Sequence, residues 1–331
     1  MKIRLFEAGN SVRKLPQNLL DEDKKLFIHE ESYFYKNTYL FEKNNVNIFN
    51  GILISLPLFR YFNKYTFFGD KTFIQRIKRI AKNYIISKSS KTIYIEKGLW
   101  FTDHKSHVYF HWLLDSLQRA EASHDYHDKY PLLVRQDFYK KEFVRESLDF
   151  LKFNFIVLKE NQKYKIKNLR IVSKTAKTGN YNEEILSSLI KRFKDSSRKN
   201  EIKNGKNLFV LRTPNLPRSI LNNLELNDLL KKYNFEFVQF EKLNFNEKIE
   251  ILNNCKNLVG VFGSGLTNIL FMNQNTNLIE IRERGDSHNN AFFSLASALK
   301  VNYYYSFFSY SNNQCLVDIE SLEKIFKTIF D

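Results

Sequence analysis

Lys256-Asn257-Leu258-Val259-Gly260-Val261-Phe262-Gly263-Ser264-Gly265-Leu266-Thr267-Asn268 carries an apolar strand through a glycine turn directly into a predicted helix. A chain builds a seat for an anion in this way. Gly263 and Gly265 can take backbone angles closed to other residues, so unpaired amides at the helix start can approach a phosphate closely. Ser264 and Thr267 add hydroxyl donors beside those amides. Leu266, Ile269, Leu270 and Phe271 supply a buried helix face, and Asn277-Leu278-Ile279-Glu280-Ile281 reads as the next strand. Its carboxylate, Glu280, stands one unit after the turn, where a ribose hydroxyl is often held. The plainer alternative is a tight strand-to-helix turn, with Glu280 as a surface charge.

Outward from this stretch the hydrophobic period keeps switching between strand and helix. Strands are expected at Asn207 to Arg212, Phe235 to Phe240, Asn257 to Phe262, around Leu278, and at Val301 to Phe307. Helices are expected at Asn222 to Lys232, Asn246 to Asn254, from Leu266, and at about Asn289 to Lys300. This alternation predicts a parallel, doubly wound sheet, whose ligands sit at the carboxyl ends of its strands. Arg212, the segment Phe262 to Gly265, and Glu280 all fall at such ends. The first half is mixed too, with strands at Thr92 to Glu96, Leu132 to Val134 and Phe155 to Leu158 and helices at Val108 to Ala122 and Lys140 to Lys152. A helix at Glu183 to Lys194 leads into Ser196 to Glu201, a polar run with the composition of a linker. The fold class expected is α/β, two domains facing a cleft, with residues 1–178 in the first and 179–331 in the second. The last helix, Ile319 to Phe330, could pack back on the first domain.

A chain of 331 residues with 43% hydrophobic content can bury two ordinary cores. Its net charge of +16 and pI near 9.5 favour anionic partners: nucleotide sugars, lipid head groups, acidic glycans or nucleic acid. Thirty-one Phe, with Lys, Asn and Ile in plenty, also fit an A+T-rich coding sequence, so part of that charge can be mutational bias. Cys255 and Cys315 are too few for a disulfide framework and suit a reducing cytoplasm. Met1 to Pro16 has no apolar core of signal-peptide length, and the longest apolar run, Ile48 to Phe59, contains Asn50 and falls short of a bilayer span. A cytoplasmic protein that crosses no membrane is expected.

Five of the seven histidines lie between His104 and His127. In a helix, His111 and Asp115 are four apart on one face, so the carboxylate can hold the imidazole in one tautomer, and Arg119 could pair with Asp115. Either group could take the proton of an incoming hydroxyl as a general base. His107 and His111 also have the spacing of a helical metal pair, completed by His104 or Asp115, and the bland reading makes His111 a bonded core residue. Arg212-Thr213-Pro214-Asn215-Leu216-Pro217-Arg218 sends two guanidiniums from one strand end. Their planar forks suit a diphosphate and, with the Gly263 to Gly265 amides, could neutralise it without magnesium. Lys71 to Lys88 places Phe73, Ile77, Ile80 and Tyr84 on one stripe, which could lie on an anionic membrane or face the domain's own core.

Taken together, His111-Trp112-Leu113-Leu114-Asp115, Arg212 with Arg218 and Asn222, and Val259 to Asn268 followed by Leu278-Ile279-Glu280-Ile281 resemble the family 61 glycosyltransferases in kind, order and spacing. That family includes bacterial capsule and lipooligosaccharide biosynthesis proteins and eukaryotic transferases of GlcNAc and pentoses. The resemblance spans roughly Lys105 to Arg282. It implies two Rossmann-like domains of the GT-B type and an inverting, metal-independent transfer. It places His111 and Asp115 at the catalytic centre. Arg212, Arg218, Asn222, Gly263, Ser264, Gly265, Thr267 and Asn268 would bind the donor, with Glu280 near its ribose. The expected co-substrate is a UDP-linked nucleotide sugar, the acceptor a glycan or glycolipid, and the location cytoplasmic, either free or peripheral on the inner membrane; no metal, other cofactor or nucleic acid is expected. The family usually carries a histidine where this chain has Phe262. Two other classes compete: a basic nucleic-acid-binding module, suited by the charge and 15% aromatic content but lacking any recognition signature, and a metal hydrolase built on His104, His107 and His111.

Overall fold

The computed structural model describes residues 1–54, 73–196, 205–211, 219–286, 290–311 and 314–330. The chain forms two compact units, the first made of Met1–Gly9, Tyr35–Thr178 and Glu184–Arg192, the second of Asn10–Phe34, Gly179–Glu183 and Phe193–Asp331. A single cut after residue 178 does not describe this division, because residues 10–34 fold with the second unit.

Unit 1 holds a seven-stranded mixed sheet. With strands numbered in chain order, it contains β1 (Lys2–Phe6), β4 (Thr38–Phe49), β5 (Ile52–Ile54), β6 (Thr92–Trp100), β7 (Leu132–Arg135), β8 (Phe155–Leu158) and β9 (Lys163–Val172), while β2 (Gly9–Val12) and β3 (Ser32–Tyr35) pair as a separate two-stranded sheet. The order is β1-β4-β9-β6-β7-β8, with β5 on β4. β6 is parallel to β9 and β7, and β7 to β8, whereas β4 is antiparallel to β1, β5 and β9. The antiparallel half and β9 were not foreseen. Their sequences alternate lysine and asparagine with apolar residues, and the inward set of β9 changes phase from Tyr164 and Ile166 to Leu169 and Ile171, which hides a period of two.

Unit 2 is built on β10 (Lys206–Val210), β11 (Phe235–Val238), β12 (Cys255–Val261), β13 (Asn277–Glu283), β14 (Asn302–Ser311) and β15 (Gln314–Val317). These lie in the order β11-β10-β12-β13-β14-β15, all parallel except the edge strand β15. Helices Asn223–Lys232 and Ile319–Phe330 cover one face, their Leu226, Leu229, Leu230, Leu322, Ile325 and Phe326 packing on Phe209, Val259, Ile279, Ile281 and Phe308. The last helix therefore joins unit 2's own core. The other face receives Leu266 against Gly260, and Phe293 edge-on to Tyr303 at 5.5 Å, a ring cluster that Phe27 completes at 5.3 Å from Phe293 and 6.0 Å from Tyr303. Phe27 belongs to the 10–34 segment and is fully buried. Backbone and amide bonds pin that segment along β14: Gln17 N to Tyr303 O at 2.8 Å, and Asn18 exchanging bonds with Tyr305 at 2.8 and 3.1 Å. No local period announces such a segment, because its partners lie far along the chain.

A row of asparagines crosses the amino ends of the parallel strands. Asn302 donates to Asn277 (3.1 Å), Asn277 to Asn257 (2.6 Å), Asn257 to Asn207 (2.7 Å), and Asn207 to the Tyr233 carbonyl (3.1 Å). Each amide both gives and receives, and each pair is also a register pair of the sheet. Removing a middle member strands a donor on one side and an acceptor on the other, at roughly 1–3 kcal/mol for each buried group left unpaired. Asn257→Ala and Asn277→Ala should therefore lower the denaturant midpoint of unit 2 more than Asn302→Ala does; equal losses from all three would show that the row is not a connected chain.

Candidate active site

His111 and Asp115 sit in unit 1 on a helix that changes pitch between them. Tyr109–His111 is α-helical, Trp112–Ser116 makes a π turn, and Leu117–Glu121 returns to α, where one regular helix was expected. π turns inside α-helices often accompany functional sites. This one is anchored from the inside: Trp112 Nε1 donates to Ser147 Oγ at 2.8 Å, and the Ser106 and Ser116 hydroxyls meet at 2.7 Å. Trp112, Leu113, Leu114 and Ser116 are buried, while the His111 and Asp115 side chains keep 16% and 11% of their surface. Both groups therefore keep a small opening to solvent.

His111 Nδ1 lies 2.7 Å from Asp115 Oδ2, and the same oxygen accepts from Thr178 Oγ1 at 3.1 Å. An ionised carboxylate only accepts, so Nδ1 carries a proton, and in the neutral ring Nε2 holds the lone pair. Thr178 was missed by sequence reading, since nothing local ties it to a residue 63 positions earlier. Arg119 does not supply the expected feature of the pair: its buried guanidinium donates to the Val172 carbonyl from Nε and Nη2 at 3.1 and 2.6 Å. Asp103 is also buried; burial pushes its carboxyl up, but the charges of Arg119 and its neighbours outweigh this and hold it below the usual range.

The other histidines go elsewhere. His107 is exposed, with Nδ1 2.8 Å from the His104 carbonyl. His127 is buried, its ring edge-on to Phe153 and Nε2 3.3 Å from Ser123 Oγ. Among the described residues, no group of three or more His, Cys, Asp or Glu side chains could hold a metal ion, so the set His104, His107 and His111 is not assembled as a ligand cluster.

In unit 2 the chain steps from β10 outward to β11 and then returns to the other side of β10 as β12. At such a reversal the connections leave neighbouring strands in opposite directions and open a crevice at their carboxyl ends. The Phe262 to Gly265 turn stands at the end of β12 at this point. Gly263 is extended (φ 161°, ψ 173°), so it does not use the left-handed region expected of it, and the helix that follows, Ser264–Phe271, is 3-10. Gly265 supplies space instead: a Cβ there would stand 3.0 Å from Val210 Cγ1, at the end of β10. Gly263 is buried, Ser264 exposed and Gly265 half-buried. Phe262 is half-buried, with its ring edge-on to Phe292 at 5.7 Å.

The remaining predicted donor residues have other surroundings. Thr267 is fully buried, with no partner for its hydroxyl among the described residues, and Asn268 is buried with Nδ2 on the Gly265 carbonyl at 2.8 Å. Asn222 exchanges two bonds with the Val317 backbone, at 2.9 and 3.0 Å, clamping a helix start to β15. Glu280 is not a surface charge: it is fully buried, and its Oε2 accepts from Tyr303 OH at 2.6 Å. Burial pushes its carboxyl up, opposed by Arg282. Arg212 and Arg218 lie outside the described residues.

The sequence pattern of the family described as Glycosyltransferase 61 matches residues 109–279, just over half of the chain. The match opens on the helix bearing His111 and ends within β13. No curated protein sequence matches the chain.

Burial, reinforced by the charges of His124 and Arg192, pushes His127 down from 6.5 to about 3. Between those values only the unfolded chain takes up the proton, so stability should fall as pH drops from 6.5 toward 3, by up to about 1.4 kcal/mol per pH unit. Denaturant midpoints at descending pH should show this loss in the wild type and a shallower one in His127→Gln; identical slopes would mean that His127 does not resist protonation.

Proposed function

The chain belongs to the glycosyltransferase 61 family and is a glycosyltransferase, and from that premise we propose that it moves a sugar from a nucleoside-diphosphate donor to a hydroxyl of a bacterial surface glycan, with inversion and without a metal. Membership implies the nucleotide-sugar donor and the glycan acceptor. The observation that carries the mechanism is the His111–Asp115 pair. With Nδ1 held by Asp115, Nε2 of His111 takes the proton of the acceptor hydroxyl while that oxygen attacks the anomeric carbon. The bond from this carbon to the diphosphate breaks, and its electron pair leaves with the diphosphate. Asp115 orients the ring and stabilises the imidazolium that forms.

In this reading the amides of Gly263 to Gly265, together with Arg212 and Arg218, receive the departing charge. The parallel order of unit 2 and the place of the turn at its strand reversal support a donor site there. A GT-B organisation with two Rossmann-like domains is part of the same proposal, as is a cytoplasmic location, supported by two buried free thiols. Among the described residues no helix is long and apolar enough to cross a membrane.

His111→Gln and Asp115→Asn should each lower kcat by roughly 10²- to 10⁴-fold, the usual contribution of a positioned proton acceptor, with little change in donor affinity. Wild-type turnover in His111→Gln would remove it as the base. A thermal-shift panel of nucleoside diphosphates, run with and without chelator, checks the donor side. Selective stabilisation that survives the chelator is expected; a shift that requires metal would overturn the metal-independent mechanism.

A further inference from the structure

Helix Phe73–Ser87 of unit 1 turns apolar side chains toward solvent. Its inward side includes half-buried Asn83 and Tyr84 and buried Ser87, with Asn83 accepting from Asn50 at 3.4 Å. On the other side Ile74, Ile77 and Ile85 are 64%, 39% and 67% exposed, with exposed Ala81 between them. Steps of three, four and four residues put these on one ridge along the helix. Of the Phe73, Ile77, Ile80 and Tyr84 stripe expected from sequence, Ile77 lies on this ridge and Tyr84 is half-buried, while the side chains of Phe73 and Ile80 lie outside the described residues. A domain's own surface helix keeps its apolar residues on the inner side, so a ridge of isoleucines on the outer side departs from that arrangement.

Exposed Lys78 and Lys82 run beside the ridge, and neither joins an ion pair among the described residues. The sequence of the helix contains four basic residues and no acidic one. A partner must bury isoleucines and neutralise ammonium groups along one flat line. Nucleic acid would take the lysines but leave the isoleucines in water. We propose that this helix docks the protein on an anionic lipid surface, lying in the head-group plane with Ile74, Ile77 and Ile85 in the acyl boundary and Lys78 and Lys82 among the phosphates. The surface is independent of the sugar-transfer site, and its occupancy would hold the enzyme where a lipid-linked glycan acceptor lies.

The test is co-sedimentation of the full chain with phosphatidylcholine vesicles, with and without phosphatidylglycerol. Partition onto the anionic vesicles should be at least roughly tenfold stronger and weaken with salt. The double variant Ile77→Glu/Ile85→Glu should lose it with an unchanged Tm, whereas Leu224→Glu, at an 81% exposed apolar position of unit 2, should bind like the wild type. Undiminished binding of the double variant, or equal binding to neutral vesicles, overturns the proposal. So does self-association of the wild type that Ile77→Glu/Ile85→Glu abolishes, since the ridge would then join two copies of the chain. A failure of the transferase reading would leave each of these vesicle results unchanged.

Discussion

The asparagine row at the amino ends of β10, β12, β13 and β14 is the constraint from which unit 2's geometry follows. Parallel strands pair almost equally well when slid by two residues, because the same face stays inward. An amide that must give to one neighbour and receive from the next removes this freedom, since a slip at any strand breaks two bonds inside the protein. Asn257 is fully buried, so water cannot repair the loss. With all dipoles pointing the same way from Asn302 to Tyr233 O, each bond also polarises the next. Level amino ends in turn set where β12 ends, and so place the Phe262 to Gly265 turn beside the end of β10.

On the face opposite the leucine and isoleucine cluster, unit 2 keeps a carboxyl group in its core. Glu280, Tyr303 and Arg282 form one buried network, with Arg282 Nη1 on Asn290 Oδ1 at 2.9 Å and Asn290 Nδ2 on the Leu26 carbonyl at 2.8 Å. Phe27 closes over it, ring against ring with Tyr303 and Tyr305, and with the Arg282 guanidinium 4.9 Å from its centroid. An unpaired buried carboxylate would cost several kcal/mol, so the guanidinium and the phenol are what make Glu280 tolerable there. The 10–34 segment is the cover that keeps water from this network, which explains why it folds with the second unit although the residues on either side of it, Met1–Gly9 and Tyr35 onward, belong to the first.

What could be read from the sequence follows the range of the interactions concerned. The parallel elements of unit 2 were legible because each strand and helix carries its own period, and the His111–Asp115 contact because a single helical turn spans it. Even a π turn there leaves the pair within 2.7 Å. Thr178, Phe27 and the antiparallel pairing of β4 with β1 and β9 were not legible, since their partners lie tens to hundreds of residues away. The glycine turn was found for a reason the structure replaces: Gly265 is needed for closeness to Val210, and Gly263 is extended. Glu280 was placed at a strand end by pattern, but it lies inside β13 beside Gly260, facing the core.

The skewed composition has found structural uses of its own. The chain has only ten glycines in 331 residues. Left-handed positions, which usually call for glycine, are taken among the described residues more often by asparagine: Asn45, Asn50, Asn161, Asn234 and Asn275 all have positive φ, joined by Lys152 and Lys300, against Gly51, Gly179 and Gly285. Asparagine is the side chain best suited to stand in, because its short amide bonds locally in that conformation. The same residue builds the row that aligns unit 2. Mutational bias can supply asparagine in excess, but it cannot place one opposite another on four successive strands. That placement is a constraint of the fold, met with the residue that was abundant.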